Sequence, residues 1–139
     1  MAVLELSLKK QVDELMDKSN QEYDKQDFPK SIEYLADAWD ILPKPKGSWD
    51  DSFYIALYLS ETYLLMEDYK KAEDWAETIF DCALNRIDSG EREFLLGKVA
   101  FESGKETEAK NYFKIADQKS ESRCFEDQDK KYHQFFKSN

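Results

Sequence analysis

At 139 residues, and at roughly 100 to 200 residues per domain, the chain forms one domain with a core of its own and no second independent one; 41% hydrophobic and 14% aromatic residues exclude disorder. Four Gly and three Pro are too few for the turns of an all-β sandwich, so the predicted class is all-α, and a mean hydropathy of -0.79 makes the chain soluble. Thirty acids against twenty bases give a net charge of -10, which excludes a nucleic-acid backbone or an anionic membrane as the main ligand and favours a basic partner.

From the N-terminus, Met1 to Lys10 has no basic start followed by an apolar run, so no secretory signal is expected, and no stretch approaches the roughly 18 apolar residues of a spanning helix. A cytoplasmic protein follows as the expectation. A first helical hairpin is predicted over about 12–43, with Ser19-Asn20-Gln21-Glu22-Tyr23, then Asp27-Phe28, then Ser31-Ile32, Leu35 and Ala38, closing at Pro43. Pro43 to Ser48 cannot continue a helix and forms a loop; Trp49, Asp50 and Asp51 lead into the next one. The second hairpin, about 52–86, repeats the pattern with Ser60-Glu61-Thr62-Tyr63-Leu64, Asp68-Tyr69, Ala72-Glu73, Ala76 and Ile79. The third, about 90–121, does so with Leu96-Gly97, Ala100-Phe101, Gly104-Lys105, Ala109-Lys110, Phe113 and Ala116. A last helix, about 125–137, carries Phe125, Tyr132, Phe135 and Phe136 at near-helical spacing and should cap the third hairpin.

The repeat has a steric logic. A small residue on each first helix (Ser19, Ser60, Gly97) admits a small residue of the second (Ser31, Ala72, Ala109), while aromatics such as Tyr23, Phe28, Tyr63, Tyr69 and Phe101 fill the wedge. The equivalent residues Ser31, Ala72 and Ala109 lie 41 and 37 positions apart, and the Pro43 to Ser48 loop accounts for much of the excess over a plain repeat of about 34 residues.

These residues resemble the tetratricopeptide repeat family. The resemblance covers about Val12 to Glu121, with Ser31 where Ala is usual, Ser60 for Gly, and no closing Pro in the second copy. It implies a right-handed superhelical stack of three helical hairpins plus the capping helix, and a binding scaffold whose first helices line a concave groove. The tail from Cys124 to Lys137 is also similar to the ending of small bacterial repeat proteins associated with polymorphic toxin loci.

Catalytic constellations are lacking. His133 is the sole histidine and reads as a polar residue of the last helix; pairs such as Asp13 and Asp17 read as a solvated acidic face. Gly47, Gly90, Gly97 and Gly104 form no phosphate loop, and Cys82 and Cys124 have no metal-ligand spacing and read as reduced thiols. No enzymatic activity, metal or cofactor is expected.

The groove geometry that the resemblance implies makes Asp13, Met16, Asp17, Asn20 and Asp24 of the first hairpin candidate partner-binding positions. Tyr54, Leu57, Tyr58, Glu61 and Leu65 follow in the second hairpin, and Glu91, Phe94, Lys98 and Glu102 in the third. All ten excess negative charges precede residue 91, so the groove reads as acidic with a Tyr-containing middle. Relatives that clamp an anionic peptide end use Lys, Asn and Arg there; this chain keeps only Asn20 and has Met16, Tyr58, Glu91 and Leu95 at the other places. The expected function is a monomeric stoichiometric inhibitor, an immunity protein, that neutralises a basic toxin domain. The alternatives are a chaperone of a secreted protein, of the type III class II kind, and a general repeat adaptor.

Overall fold

The computed structural model describes residues 3–82 and 89–138, and among these residues all regular structure is helical, as the composition predicts. Seven α-helices follow one another: α1 (Leu6–Asp24), α2 (Phe28–Asp40), α3 (Asp50–Leu65), α4 (Tyr69–Thr78), α5 (Glu91–Glu102), α6 (Glu106–Ser120) and α7 (Lys130–Lys137). Helices α1 and α2, α3 and α4, and α5 and α6 pack against each other as hairpins.

The three hairpin turns share one hydrogen-bonding scheme. Each first helix runs into a left-handed residue, Gln26 (φ 64°), Glu67 (φ 62°) or Gly104 (φ 83°). The following N–H returns to the carbonyl five residues back: Asp27 to Glu22 at 2.9 Å, Asp68 to Tyr63 at 3.0 Å, Lys105 to Ala100 at 2.8 Å. The left-handed residue itself donates to the carbonyl three back, at 2.9, 3.0 and 3.1 Å. Both bonds satisfy carbonyls that a helix end otherwise leaves orphaned. Asp27 and Asp68 then cap α2 and α4, accepting from the N–H of Lys30 at 3.2 Å and of Lys71 at 3.3 Å; Lys105, in the same place before α6, offers no such acceptor. Only the third turn uses glycine where φ is positive. Gln26→Gly and Glu67→Gly are therefore each expected to stabilise the chain by about 0.5–1 kcal/mol, read as a higher urea midpoint at unchanged slope.

The small residues sit at the helix crossings. Ser19 and Ser31 are buried, and the Ser19 hydroxyl lies 2.9 Å from the Ser31 carbonyl, to which it donates, and 2.8 Å from the Ser31 hydroxyl. Ser60 donates to the Ala72 carbonyl at 2.7 Å. At Gly97 the facing group is the Phe113 ring, so close that no side chain fits. Serine in place of glycine thus keeps the close approach and adds a bond to a carbonyl of the partner helix.

Packing divides the chain into two compact units, Met1–Leu84 and Asn85–Asn139. In the first, Val12, Ile32, Leu35, Ile55 and Leu59 form the core, and Trp39 of α2 meets Trp75 of α4 edge-on at 5.1 Å. The predicted loop after α2 is present. Lys46 reaches back from it and donates to the carbonyls of Trp39, Asp40 and Leu42 at 3.1, 2.9 and 3.0 Å, closing the end of α2. Helix α1 starts at Leu6, a turn and a half before the expected boundary, because the Glu5 carboxylate caps it by accepting from Ser7 and Leu8. The Ser7 hydroxyl, which also donates to this carboxylate at 2.6 Å, and then the N–H groups of Ser7 and Leu8 hold the Glu5 carboxyl below its ordinary range. The predicted end of the second hairpin, 83–86, lies outside the described residues.

In the second unit Phe94, Phe113, Phe125 and Tyr132 make an aromatic cluster, joined by Phe101, Phe135 and Phe136. The terminal helix is shorter than expected. A 3-10 turn, Arg123–Phe125, places Phe125 in the cluster; left-handed Asp127 then breaks the path, and Asp129 caps α7 by accepting from Lys131 at 3.0 Å. His133 stacks on Phe125 with centroids 4.3 Å apart, which is a packing role.

Candidate functional site

Along α1, Asp13, Asp17 and Asn20 recur at helical spacing on the face beside Val12 and Ser19, which are buried. Along α3, Tyr54, Tyr58 and Glu61 do the same, while Ile55, Leu59 and Thr62 turn inward. The two faces meet across a cleft of two parts. The wider part, about 540 Å³, lies between Asp13, Met16 and Asp17 of α1 and Asp51 and Tyr54 of α3. A narrower pocket of about 280 Å³ adjoins it, between Tyr23 and Leu35 on one side and Glu61 and Thr62 on the other. Asn20 and Tyr58 belong to both.

The electrostatics are one-sided. Among the described residues, Asp13, Asp17, Asp51 and Glu61 border the cleft against one cation, Lys9. The Lys9 ammonium lies 2.8 Å from Asp13 and 2.7 Å from Asp51, bridging α1 and α3. Its hydrogen bonds to Asp13 and Asp51 raise its pKa, so the ammonium stays charged through the neutral range and, on the alkaline side, the bridge is lost as pH rises through the raised value. Tyr54 and Tyr58 lie with ring centroids 6.3 Å apart. Burial, then the Glu61 carboxylate and Tyr54, push the Tyr58 phenol up, so it stays a neutral hydroxyl. Tyr23 rests edge-on against Phe28 at 5.3 Å and is 43% exposed, Tyr58 38%.

The cleft thus assembles Asp13, Met16, Asp17, Asn20, Tyr54, Tyr58 and Glu61 of the predicted positions. Asp24 is exposed at the end of α1, Leu57 is half-buried, and Leu65 is exposed at the end of α3; none of them lines it. In the second unit Glu91 is exposed, but the three other predicted positions are corrected. Lys98 is buried, its ammonium 3.3 Å from the Gln128 side chain and above the Phe94 ring. Glu102 is half-buried and accepts from Tyr132 at 2.9 Å and pairs with Lys131 at 2.6 Å. The chain's own residues 125–135 cover the face of α5 that was expected to be open, and Phe94 is buried beneath them. Tyr23 is corrected in the other direction: read as a wedge, it borders the pocket.

No protein-family model and no curated protein matches the chain.

Among the described residues no group of His, Cys, Asp and Glu could hold a metal ion, Cys82 is buried and donates to the Thr78 carbonyl at 3.4 Å, and no helix is long and apolar enough to cross a membrane. Burial raises the pKa of the Cys124 thiol, which makes it a poor nucleophile. The cleft offers aromatic faces, a neutral hydroxyl and converging carboxylates, a set suited to holding cations and apolar stems.

Proposed function

We propose that the protein is a non-catalytic binding module of the tetratricopeptide type, its three hairpins stacked in a right-handed superhelix, and that it neutralises a basic toxin domain. The observation that carries this reading is the α1–α3 cleft, where tyrosines and four carboxylates converge from two helices. The common turn scheme at Gln26, Glu67 and Gly104 supports the repeat assignment. A preformed surface suits a folded domain, and carboxylates at its rim steer a cationic partner inward. The proposed inhibitor works as a cytoplasmic monomer without cofactor, and nucleic acid and membranes are not its ligands.

The test is affinity capture of the bound chain followed by binding kinetics and assay of the captured domain. A basic, folded partner whose activity is blocked at equimolar ratio is the expected result. Tyr58→Ala is expected to weaken binding by about 2 kcal/mol, mostly through faster dissociation. Reversing Asp17 and Asp24 to Lys should mainly slow association and flatten its salt dependence. An acidic partner, or binding untouched by these changes, overturns the assignment; an extended secreted client would instead make the protein a chaperone.

A further inference from the structure

The two parts of the cleft differ in the cation they can hold. In the wider part, Asp13 and Asp51 grip a compact ammonium between two carboxylates, and the chain fills that place with its own Lys9. The narrower pocket has a different composition. Among the described residues Glu61 is its one carboxylate; Tyr23, Tyr58 and Asn20 line it beside Leu35 and Thr62, and its volume is about 280 Å³.

A strongly hydrated ammonium gains less from aromatic flanks than a guanidinium does. A guanidinium is planar and weakly hydrated, stacks on aromatic rings, and carries five donors that one carboxylate and one amide oxygen can share. Tyr23 rests edge-on against Phe28, which holds its ring at the pocket. Leu35 and Thr62 give the depth of the pocket a surface against which a three-carbon stem can lie.

From this we infer that the Tyr23–Tyr58–Glu61 pocket is an arginine-selective subsite, which takes one arginine side chain of the basic partner between the tyrosine rings. This deepens the proposed function and rests on it for the existence of a basic partner, but its test needs no partner in hand. Blocked hexa-arginine and hexa-lysine peptides, equal in charge, are titrated calorimetrically into the full chain at fixed ionic strength. The subsite predicts hexa-arginine binding about tenfold tighter. The double change Tyr23→Leu with Tyr58→Leu should abolish that preference while leaving hexa-lysine affinity within about twofold; Glu61→Gln should weaken hexa-arginine the more. Both tyrosines are more than a third exposed, so the leucine variants should fold, and an unchanged circular dichroism spectrum checks it.

Equal affinity for the two peptides overturns the subsite while leaving the acidic cleft as a charge-complementary surface. A preference for arginine that survives the loss of both rings also overturns it. Absence of binding by either peptide removes the subsite and the cationic reading of the cleft together.

Discussion

Deleting residues 123–139 is expected to destabilise the chain by about 5 kcal/mol, seen as a lower urea midpoint and as dye binding to exposed apolar surface. The segment contributes Phe125 and Tyr132, both buried, and Phe135 and Phe136, which pack against the same cluster. Phe125 lies 5.4 Å from Phe94 and 5.8 Å from Phe113 between ring centroids; Tyr132 lies 6.1 and 6.0 Å from the same rings. Removing the segment therefore loses its own burial and also uncovers Phe94 and Phe113. Each aromatic truncation in such a core costs about 3–5 kcal/mol, but the second and third losses overlap because they uncover the same two rings. Since whole domains hold only about 5–15 kcal/mol, the shortened chain should lie near its unfolding point. Phe125→Ala alone should cost about 3 kcal/mol. A midpoint unmoved by either change would mean that the terminal segment does not support the third hairpin.

Much of this fold was legible because its constraints are written in single residues. Close helix crossings demand small side chains, which fixed Ser19, Ser60 and Gly97 in phase, and the cap acids Asp27 and Asp68 marked the turns. The α1 and α3 positions that line the cleft were singled out by the groove that the resemblance implies, since residue spacing alone does not say which exposed face meets a neighbouring helix. What the residues did not disclose depends on partners distant in the chain. Lys9 and Asp51 are 42 positions apart, and a lysine near an N-terminus carries no mark of its partner. The covering of Lys98 and Glu102 was illegible for the same reason. The apolar spacing of Phe125, Tyr132 and Phe135 predicted that the segment would pack, but the path set by left-handed Ser122 and Asp127 decides which face it reaches. Tyr23 shows the limit of type-based reasoning, because a tyrosine serves equally as a wedge and as a pocket wall, and only its 43% exposure separates the two.

Gly97→Val is expected to cost about 3 kcal/mol, against the direction that helix propensity alone dictates. In an open helix, replacing glycine usually gains stability, since glycine is the more entropically costly residue to order. Here a Cβ on Gly97 would stand 2.6 Å from both Cδ1 and Cε1 of Phe113, well inside contact distance. That ring cannot give way cheaply. It is fully buried and ringed by Phe94, Phe125, Tyr132 and Phe135 at centroid distances between 5.3 and 6.2 Å. Either α5 and α6 separate, losing the contacts of Ala100, Ala109 and Ala116, or the whole aromatic cluster repacks. Gly104→Ala separates the steric from the conformational cost, because nothing lies within 4 Å of its added Cβ and only its φ of +83° is strained, worth about 1 kcal/mol. Phe113→Leu completes the argument: destabilising by itself, it makes room for the larger residue at 97. The pair should therefore be less destabilised than the sum of the single changes by about 1 kcal/mol or more, measured in a double-mutant cycle by urea unfolding. Strict additivity would place the cost of Gly97→Val somewhere other than the Phe113 ring.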